Sequence, residues 1–203
     1  MNRSLLLIAA STLLACSAFA QSAPATQPSD PNKPATVNQR RENQQDRIAN
    51  GVQSGQLTAG ETKRLESREA NVNREIKAGR AANGGTHTPA ERRQVNRQQN
   101  RISRSIYADK HNAAQQNYKG EVGARQHNQQ QRIAQGIHSG QMTAGEAARS
   151  EHRQQAINHQ IHADRAANGG TLTGAERRQI NHEQNRSSRQ IYRQKHNAVT
   201  QRP

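Results

Sequence analysis

Apolar residues are sparse in this chain, but they recur at helical spacing. Ile48 and Val52 stand four residues apart, and Val95, Ile102 and Ile106 share one face of a later segment. Spacings of three, four or seven residues place side chains on one side of an α-helix, so the pattern predicts amphipathic helices with narrow buried faces. The predicted core positions are Ile48, Val52, Leu65, Val72, Ile76, Val95, Ile102, Ile106, Ile133, Ile137, Ile157, Ile161, Ile180 and Ile191.

Short polar segments separate the predicted helices and carry start and stop signals. Thr58 precedes Glu61 by three residues, and Thr88 precedes Glu91 in the same way. In such a capping box the hydroxyl accepts a hydrogen bond from the first helical turn, and the carboxylate accepts one from the threonine N–H. Asn83-Gly84-Gly85 is typical of a helix end, because glycine adopts left-handed backbone conformations cheaply.

The whole pattern occurs twice. The segment from Val37 to Ala113 aligns without a gap onto the segment from Val122 to Ala198, about 85 residues later and at roughly 60 % identity. The chain is therefore predicted to be all-α, with two tandem three-helix repeats, each with a thin hydrophobic core. The predicted segments are a signal peptide (1–20), a disordered Pro-rich linker (21–36), repeat 1 (37–113), a linker or helix extension (114–121), repeat 2 (122–198) and a tail (199–203).

Two details of the repeats lead to specific expectations. The third helix of repeat 1 is expected to run past Tyr107 towards Gly120. The second copy carries Ser150 and Ser187 where the first copy has Leu65 and Ile102. Since buried aliphatic side chains contribute strongly to stability, repeat 2 is expected to be the less stable repeat.

The N-terminal segment resembles a bacterial export signal. Arg3 supplies a positive charge, residues 5–14 are apolar, and Ala18-Phe19-Ala20 fits an A-x-A cleavage site. Leu13-Leu14-Ala15-Cys16 also resembles a lipobox, in which Cys16 would be acylated. The chain is thus expected to be exported, either as a periplasmic or secreted protein or as a membrane-anchored lipoprotein, with no transmembrane span after processing.

Composition limits the functions that the chain can support. It has 203 residues, a formal net charge of +15, 30 % hydrophobic residues and 2 % aromatic residues. Such a chain can build only small apolar interiors, and an apolar cleft that would shift the pKa of a catalytic acid is not expected. The sequence also lacks a nucleophile elbow, a glycine-rich phosphate loop and an H-E-x-x-H motif. A non-enzymatic function is expected, without a cofactor.

The third helix of each repeat carries the strongest candidate site. Arginines in the first copy fall within a sector of about 80° on the helix, opposite the apolar positions. Guanidinium groups at every turn suit phosphate, sulfate or carboxylate partners, although a basic helix face can also be merely solvated. The expected partners are anionic lipid, lipopolysaccharide, acidic glycan or extracellular nucleic acid. The predicted polyanion-binding residues are Arg93, Arg97, Arg101, Arg104, Arg178, His182, Arg186 and Arg189.

Histidines and a tyrosine motif offer further alternatives. His152, His159 and His162 could form a weak metal site on the second helix of repeat 2, but repeat 1 has basic residues at the positions of His159 and His162. The sequence Tyr107-x-x-Lys110-His111-Asn112 recurs in the second copy. It predicts a helix end at which tyrosine covers the thin core and the basic residues face the negative end of the helix dipole.

Three resemblances add expectations. Gly55 to Glu61 and Gly140 to Glu146 resemble the second half of an EF-hand loop, which implies a helix–loop–helix; the missing oxygen ligands in the first half indicate that no calcium is bound. Leu57-Thr58-Ala59-Gly60-Glu61 resembles the L-T-x-x-Q motif of Spy-type periplasmic chaperones, which implies binding of unfolded proteins. The repeated S-G-x-L-T-x-G-E and N-G-G-x-x-T units also resemble those of uncharacterised exported bacterial tandem-repeat proteins.

Overall fold

The computed structural model describes residues 35–118 and 120–201, and this part of the chain contains α-helices and no strands. The all-α prediction is therefore confirmed. The predicted signal peptide, Cys16 and most of the Pro-rich linker lie outside the described residues. Within the described residues, no helix combines the length and the apolar character needed to cross a membrane. The helices are α1 (Val37–Gln53), α2 (Ala59–Ala82), α3 (Pro89–Lys110), α4 (Gly120–His138), α5 (Ala144–Ala167) and α6 (Gly174–Lys195).

Capping boxes begin most of these helices, as the sequence predicts. The Thr58 N–H donates to Glu61 Oε2 over 2.9 Å, and the Thr88 N–H donates to Glu91 Oε2 over 2.8 Å. The backbone N–H and the hydroxyl of Thr88 hold the pKa of Glu91 below its usual range. The helices that start with such a box have their N-cap residues at Thr36, Thr58, Thr88, Thr143 and Thr173.

Helix α3 ends at Lys110, so the expected extension towards Gly120 is wrong. His111 has a φ of −115°, outside the helical range, and the chain then turns back over the α1–α2 connection. Asn112 Nδ2 donates to Glu61 Oε1 over 2.6 Å, and the Gln116 N–H donates to the Gly55 carbonyl over 3.1 Å. These tertiary hydrogen bonds replace the next helical turn. Residues 114–118 are a linker, and α4 begins at Gly120.

Each repeat is a three-helix unit whose narrow core is supplemented by buried glutamines. All fourteen predicted apolar core positions are buried. Gln44 Nε2 donates to the Gln99 carbonyl over 2.6 Å and to Ser103 Oγ over 2.8 Å, which ties α1 to α3. Gln129 makes the equivalent bonds in repeat 2, to the Gln184 carbonyl and a serine hydroxyl. The amides thus cross-link helices where aliphatic side chains are too few.

The two repeats pack together through equivalent helices. A Cβ added at Gly60 would lie 3.0 Å from Gln155 Nε2, and one at Gly145 would lie 3.9 Å from the Cβ of Ala70. Since Gly145 is the counterpart of Gly60 and Gln155 is the counterpart of Ala70, the contacts are reciprocal. Reciprocal contacts between antiparallel α2 and α5 indicate a local two-fold relation, as in the interface of a symmetric dimer.

Helices α1 and α4 follow the same relation. Gln131 Nε2 donates to the Gln53 carbonyl over 3.0 Å, and His138 Nδ1 lies 3.1 Å from Asp46 Oδ1. Gln131 is the counterpart of Asp46, and His138 is the counterpart of Gln53. The described part of the chain is therefore one unit built from two repeats.

Carboxyl groups are buried where α2 meets α5. Glu66 and its counterpart Glu151 have no exposed surface, and each accepts a hydrogen bond from one glutamine amide, Gln45 (3.1 Å) or Gln130 (2.8 Å). One oxygen of each carboxyl group has no hydrogen-bond partner. Burial raises the pKa of Glu151 to about 8 and that of Glu66 well above its usual range, with repulsion from Glu69 and Glu151 adding to the rise at Glu66. The interface therefore favours the protonated acids.

The apolar interior is continuous in repeat 1 and interrupted in repeat 2. One cluster contains the repeat 1 core together with Ile133, Ile137 and Ile191 of repeat 2. A smaller separate cluster contains Val122, Ile157, Ile161, Leu172 and Ile180. Buried Ser150 and Ser187 lie where Leu65 and Ile102 join the two ends of the repeat 1 core. Their hydroxyls bond to Gln194 and Gln154, so polar contacts replace apolar contacts at this point.

The buried acids predict a pH dependence of stability. An acid whose pKa is higher in the folded protein than in the unfolded chain makes folding less favourable as the pH rises between the two pKa values. The reason is that the unfolded chain releases the proton at a lower pH. As the pH is raised from about 4.5 to about 8, the free energy of unfolding of the wild type should therefore fall relative to that of E66Q/E151Q. The shift at Glu151 alone makes the difference grow by on the order of 5 kcal/mol over this interval, measured by urea unfolding.

The matched control is E75Q, which removes one carboxylate from the exposed side of α2 without touching the interface. A parallel pH profile for the wild type and E66Q/E151Q would show that the buried acids do not titrate as described.

The interrupted core predicts uneven stability along repeat 2. Amide hydrogens around Ile157, Ile161 and Ile180 should exchange on the order of tenfold or more faster than those around Val72 and Val95, because the smaller cluster opens separately. Native-state hydrogen exchange measures this directly. Equal protection of the two sets would mean that the serine–glutamine contacts compensate fully for the missing aliphatic groups.

Candidate polyanion-binding surface

Helix α3 presents its arginines to solvent because its other side is held in the core. Val95, Ile102 and Ile106 are buried, and Gln99 between them donates from Nε2 to the Val37 carbonyl over 2.9 Å. These contacts fix the rotation of the helix, so the opposite sector faces outwards. The exposed arginines of this sector, called stripe 1, are Arg93, Arg97, Arg101 and Arg104.

Helix α6 presents the equivalent stripe 2. Ile180 and Ile191 are fully buried, and Gln184 Nε2 donates to the Val122 carbonyl over 3.0 Å, as Gln99 does in repeat 1. All stripe 2 positions are exposed: Arg178, His182, Arg186 and Arg189. Every predicted polyanion-binding residue thus lies on the surface. The eight residues form two separate rows, since α3 and α6 do not pack against each other.

The acids near the stripes have other partners. Within residues 35–118 and 120–201, the ion pairs lie elsewhere, between Arg64 and Asp109 (3.8 Å) and between His138 and Asp46 (3.1 Å). Glu75 shares a groove with Arg101, but its two carboxylate oxygens accept hydrogen bonds of 2.9–3.0 Å from Gln94 and Gln98. The charge of the stripes is therefore not neutralised by ion pairs within the described chain.

A third basic surface lies at the junction of the repeats, and the sequence analysis did not identify it. Lys63 of α2 and Arg149, His152 and Arg153 of α5 line an open groove of about 460 Å³ that has no acidic lining residue. We call these four residues the junction groove. The sequence does show that the arginines at positions 64 and 68 recur at positions 149 and 153, which indicates a repeated basic face on α2 and α5. Their common surface could not be recognised without knowing that α2 packs on α5.

The tyrosines at the ends of α3 and α6 do not cover the core as expected. Tyr107 is 62 % exposed and Tyr192 is 58 % exposed. Each ring stacks on the histidine one turn later, with 4.1 Å between ring centroids for Tyr107–His111 and for Tyr192–His196. The helices end within this motif, at Lys110 and Lys195, but the aromatic rings face solvent.

The histidines considered as metal ligands are exposed along α5. His152 belongs to the junction groove, and His159 and His162 lie further along the helix. Among the described residues, no group of three or more His, Cys, Asp or Glu side chains is arranged to hold a metal ion. The buried Glu66 and Glu151 have no exposed surface and so do not form part of an accessible site.

Comparisons of the chain with protein-family models, with curated proteins and with solved structures find no match. The resemblances noted in the sequence remain predictions. Any function proposed for this chain therefore depends on the chemistry of its described surface.

Proposed function

We propose that the protein binds polyanions, without catalysis, through stripes 1 and 2. The observation that supports this most directly is the exposure of all eight basic positions on two equivalent helices, with no acid paired to them in the described chain. Like charges held at successive helical turns repel one another, and a polyanion relieves this repulsion by supplying counter-charge. Two stripes on one unit also permit binding of a long polymer with avidity.

The geometry of a stripe matches a linear partner. Arg93 and Arg104 are eleven residues apart, so the row extends for about 16 Å along the helix. Arginine presents several N–H donors in a planar fork and suits phosphate, sulfate or carboxylate groups. Anionic lipid, lipopolysaccharide, acidic glycan and extracellular nucleic acid all offer such groups. The junction groove adds basic surface between the repeats and supports the same function.

Surface composition favours a charged partner over an apolar one. The exposed large hydrophobic residues in the described part of the chain are Tyr107, Tyr192 and Val199. A chaperone that shields unfolded clients by apolar contact needs a contiguous hydrophobic patch, and these three side chains do not provide a broad one. The Spy-type interpretation thus finds less support than polyanion binding. The histidine-based metal interpretation finds no three-ligand cluster to support it among the described residues.

Binding through the stripes predicts a steep salt dependence that depends on particular arginines. Affinity for inorganic polyphosphate, measured by calorimetry at several salt concentrations, should fall linearly on a log–log plot. The variant R97A/R104A lacks two of these contacts, and the slope should decrease in magnitude by about two. The reason is that one counter-ion fewer is released on binding for each contact that is lost. Circular dichroism verifies that the variant keeps its helices.

The control is R74A/K77A, which removes the same charge from exposed positions of α2 outside the stripes. It should leave the slope nearly unchanged. If both double variants weakened binding equally, net charge rather than the stripes would govern the interaction. If the wild type bound neither polyphosphate nor heparin at low salt, the proposed function would be wrong.

A further inference from the structure

Each stripe ends in a pair of stacked aromatic rings. The Tyr107 and His111 rings are 4.1 Å apart with an interplanar angle of 24°, and the Tyr192 and His196 rings are 4.1 Å apart with an angle of 23°. In both pairs the histidine Nδ1 lies 2.7 Å from the carbonyl of the tyrosine one turn earlier, which orients the imidazole. The same construction therefore occurs in both repeats.

The ring pairs lie in line with the arginines. At 100° per residue, Tyr107 lies about 60° from Arg104 around the helix, and its ring stacks on that of His111, the first residue after the helix. The positions of Tyr192 and His196 relative to Arg189 are the same. A row that starts at Arg93 and ends at Tyr107 is about 21 Å long. Basic groups and an aromatic surface thus form one continuous strip on each helix.

The third tyrosine, Tyr118, is packed against the protein and differs from Tyr107 and Tyr192 in its exposure. Tyr118 is half-buried, its hydroxyl is buried, and its ring meets His127 edge-on at 5.1 Å between centroids. Tyr107 and Tyr192 are instead more than half exposed. Histidine stacks on each of these rings, and more than half of each tyrosine surface stays accessible.

We propose that each stripe, together with its Tyr–His pair, binds a segment of single-stranded nucleic acid. Phosphates would lie along the arginines, and a base would stack on the exposed tyrosine. Base–aromatic stacking does not depend strongly on sequence, because every base has a π-face, so the site would accept single strands in general. This inference depends on the proposed polyanion binding and specifies its partner.

The hydrogen-bonding character of the strip favours a phosphodiester over a glycan. Arginine is a donor only, and the phosphodiester groups of a nucleic acid accept hydrogen bonds without donating any. The hydroxyl groups of a sugar are bound best by acceptors as well as donors, and the carboxylate that shares a groove with Arg101, that of Glu75, already accepts hydrogen bonds from Gln94 and Gln98 at both oxygens. A single strand therefore fits both the arginines and the rings.

Calorimetric titration provides the affinities for the wild type and the variants, and tyrosine fluorescence adds a local signal in the wild type, because the chain contains no tryptophan. The full chain is titrated with a short oligo(dT) and with an abasic phosphodiester of the same length. The wild type should bind oligo(dT) roughly 5- to 100-fold more tightly than the abasic strand, with quenching of the tyrosines. In Y107L/Y192L this preference should disappear while affinity for the abasic strand stays unchanged. In Y118F the preference should persist.

Other outcomes separate this inference from the proposed function. Equal binding of both strands by the wild type would overturn the stacking site but leave polyanion binding intact. Binding of neither strand, and of no polyphosphate, would overturn both. If Y107L/Y192L lost affinity for polygalacturonate but not for oligo(dT), the rings would belong to a glycan site and the nucleic-acid assignment would be wrong.

Discussion

The structure depends on the packing of α2 against α5. This contact brings the two repeats together with reciprocal pairs of residues, and it lets six helices with few aliphatic side chains contribute to one main apolar cluster. It also buries Glu66 and Glu151, and their burial costs less free energy when both acids are protonated. A surplus of basic residues cannot enter such a narrow interior, because an unpaired buried charge is far more costly than an exposed one. The cations therefore lie outside, on the exposed faces of α3 and α6 and in the junction groove.

The same constraint explains the polar interior. Glutamine amides reach backbone carbonyls of a neighbouring helix, as Gln44 does to Gln99 and Gln129 does to Gln184. These bonds fix the rotation of α1 against α3 and of α4 against α6. Because the rotation is fixed, the arginine stripes and the tyrosine–histidine pairs face solvent in both repeats. The positions of the exposed basic and aromatic side chains thus follow from the glutamine hydrogen bonds in the core. Because the sequence is repeated, the same strip occurs on both α3 and α6.

The sequence was sufficient for the local features and insufficient for the long-range ones. Helical spacing identified the buried aliphatic positions, and the Thr-x-x-Glu pattern identified helix starts, since both signals are local. The end of α3 was misplaced because Asn112 and Gln116 bond to residues far away in sequence. The buried Glu66 and Glu151 were not predicted, because a charged residue near the middle of a helix normally indicates a solvated face. The stripes were found from periodicity, but the junction groove and the exposure of Tyr107 and Tyr192 depend on tertiary packing.

The claim that the stripes bind polyanions is tested most directly at the arginine side chains themselves. Two-dimensional NMR resolves Nε–Hε signals of individual arginines during titration with polyphosphate. Binding through the stripes predicts that the signals of Arg97, Arg101, Arg104, Arg186 and Arg189 shift together and saturate. Signals of Arg47 and Arg132, which donate to backbone carbonyls between helices, should stay in place. Small uniform shifts of all arginines, or shifts confined to Arg149 and Arg153 in the junction groove, would contradict the assignment of the stripes as the binding surface.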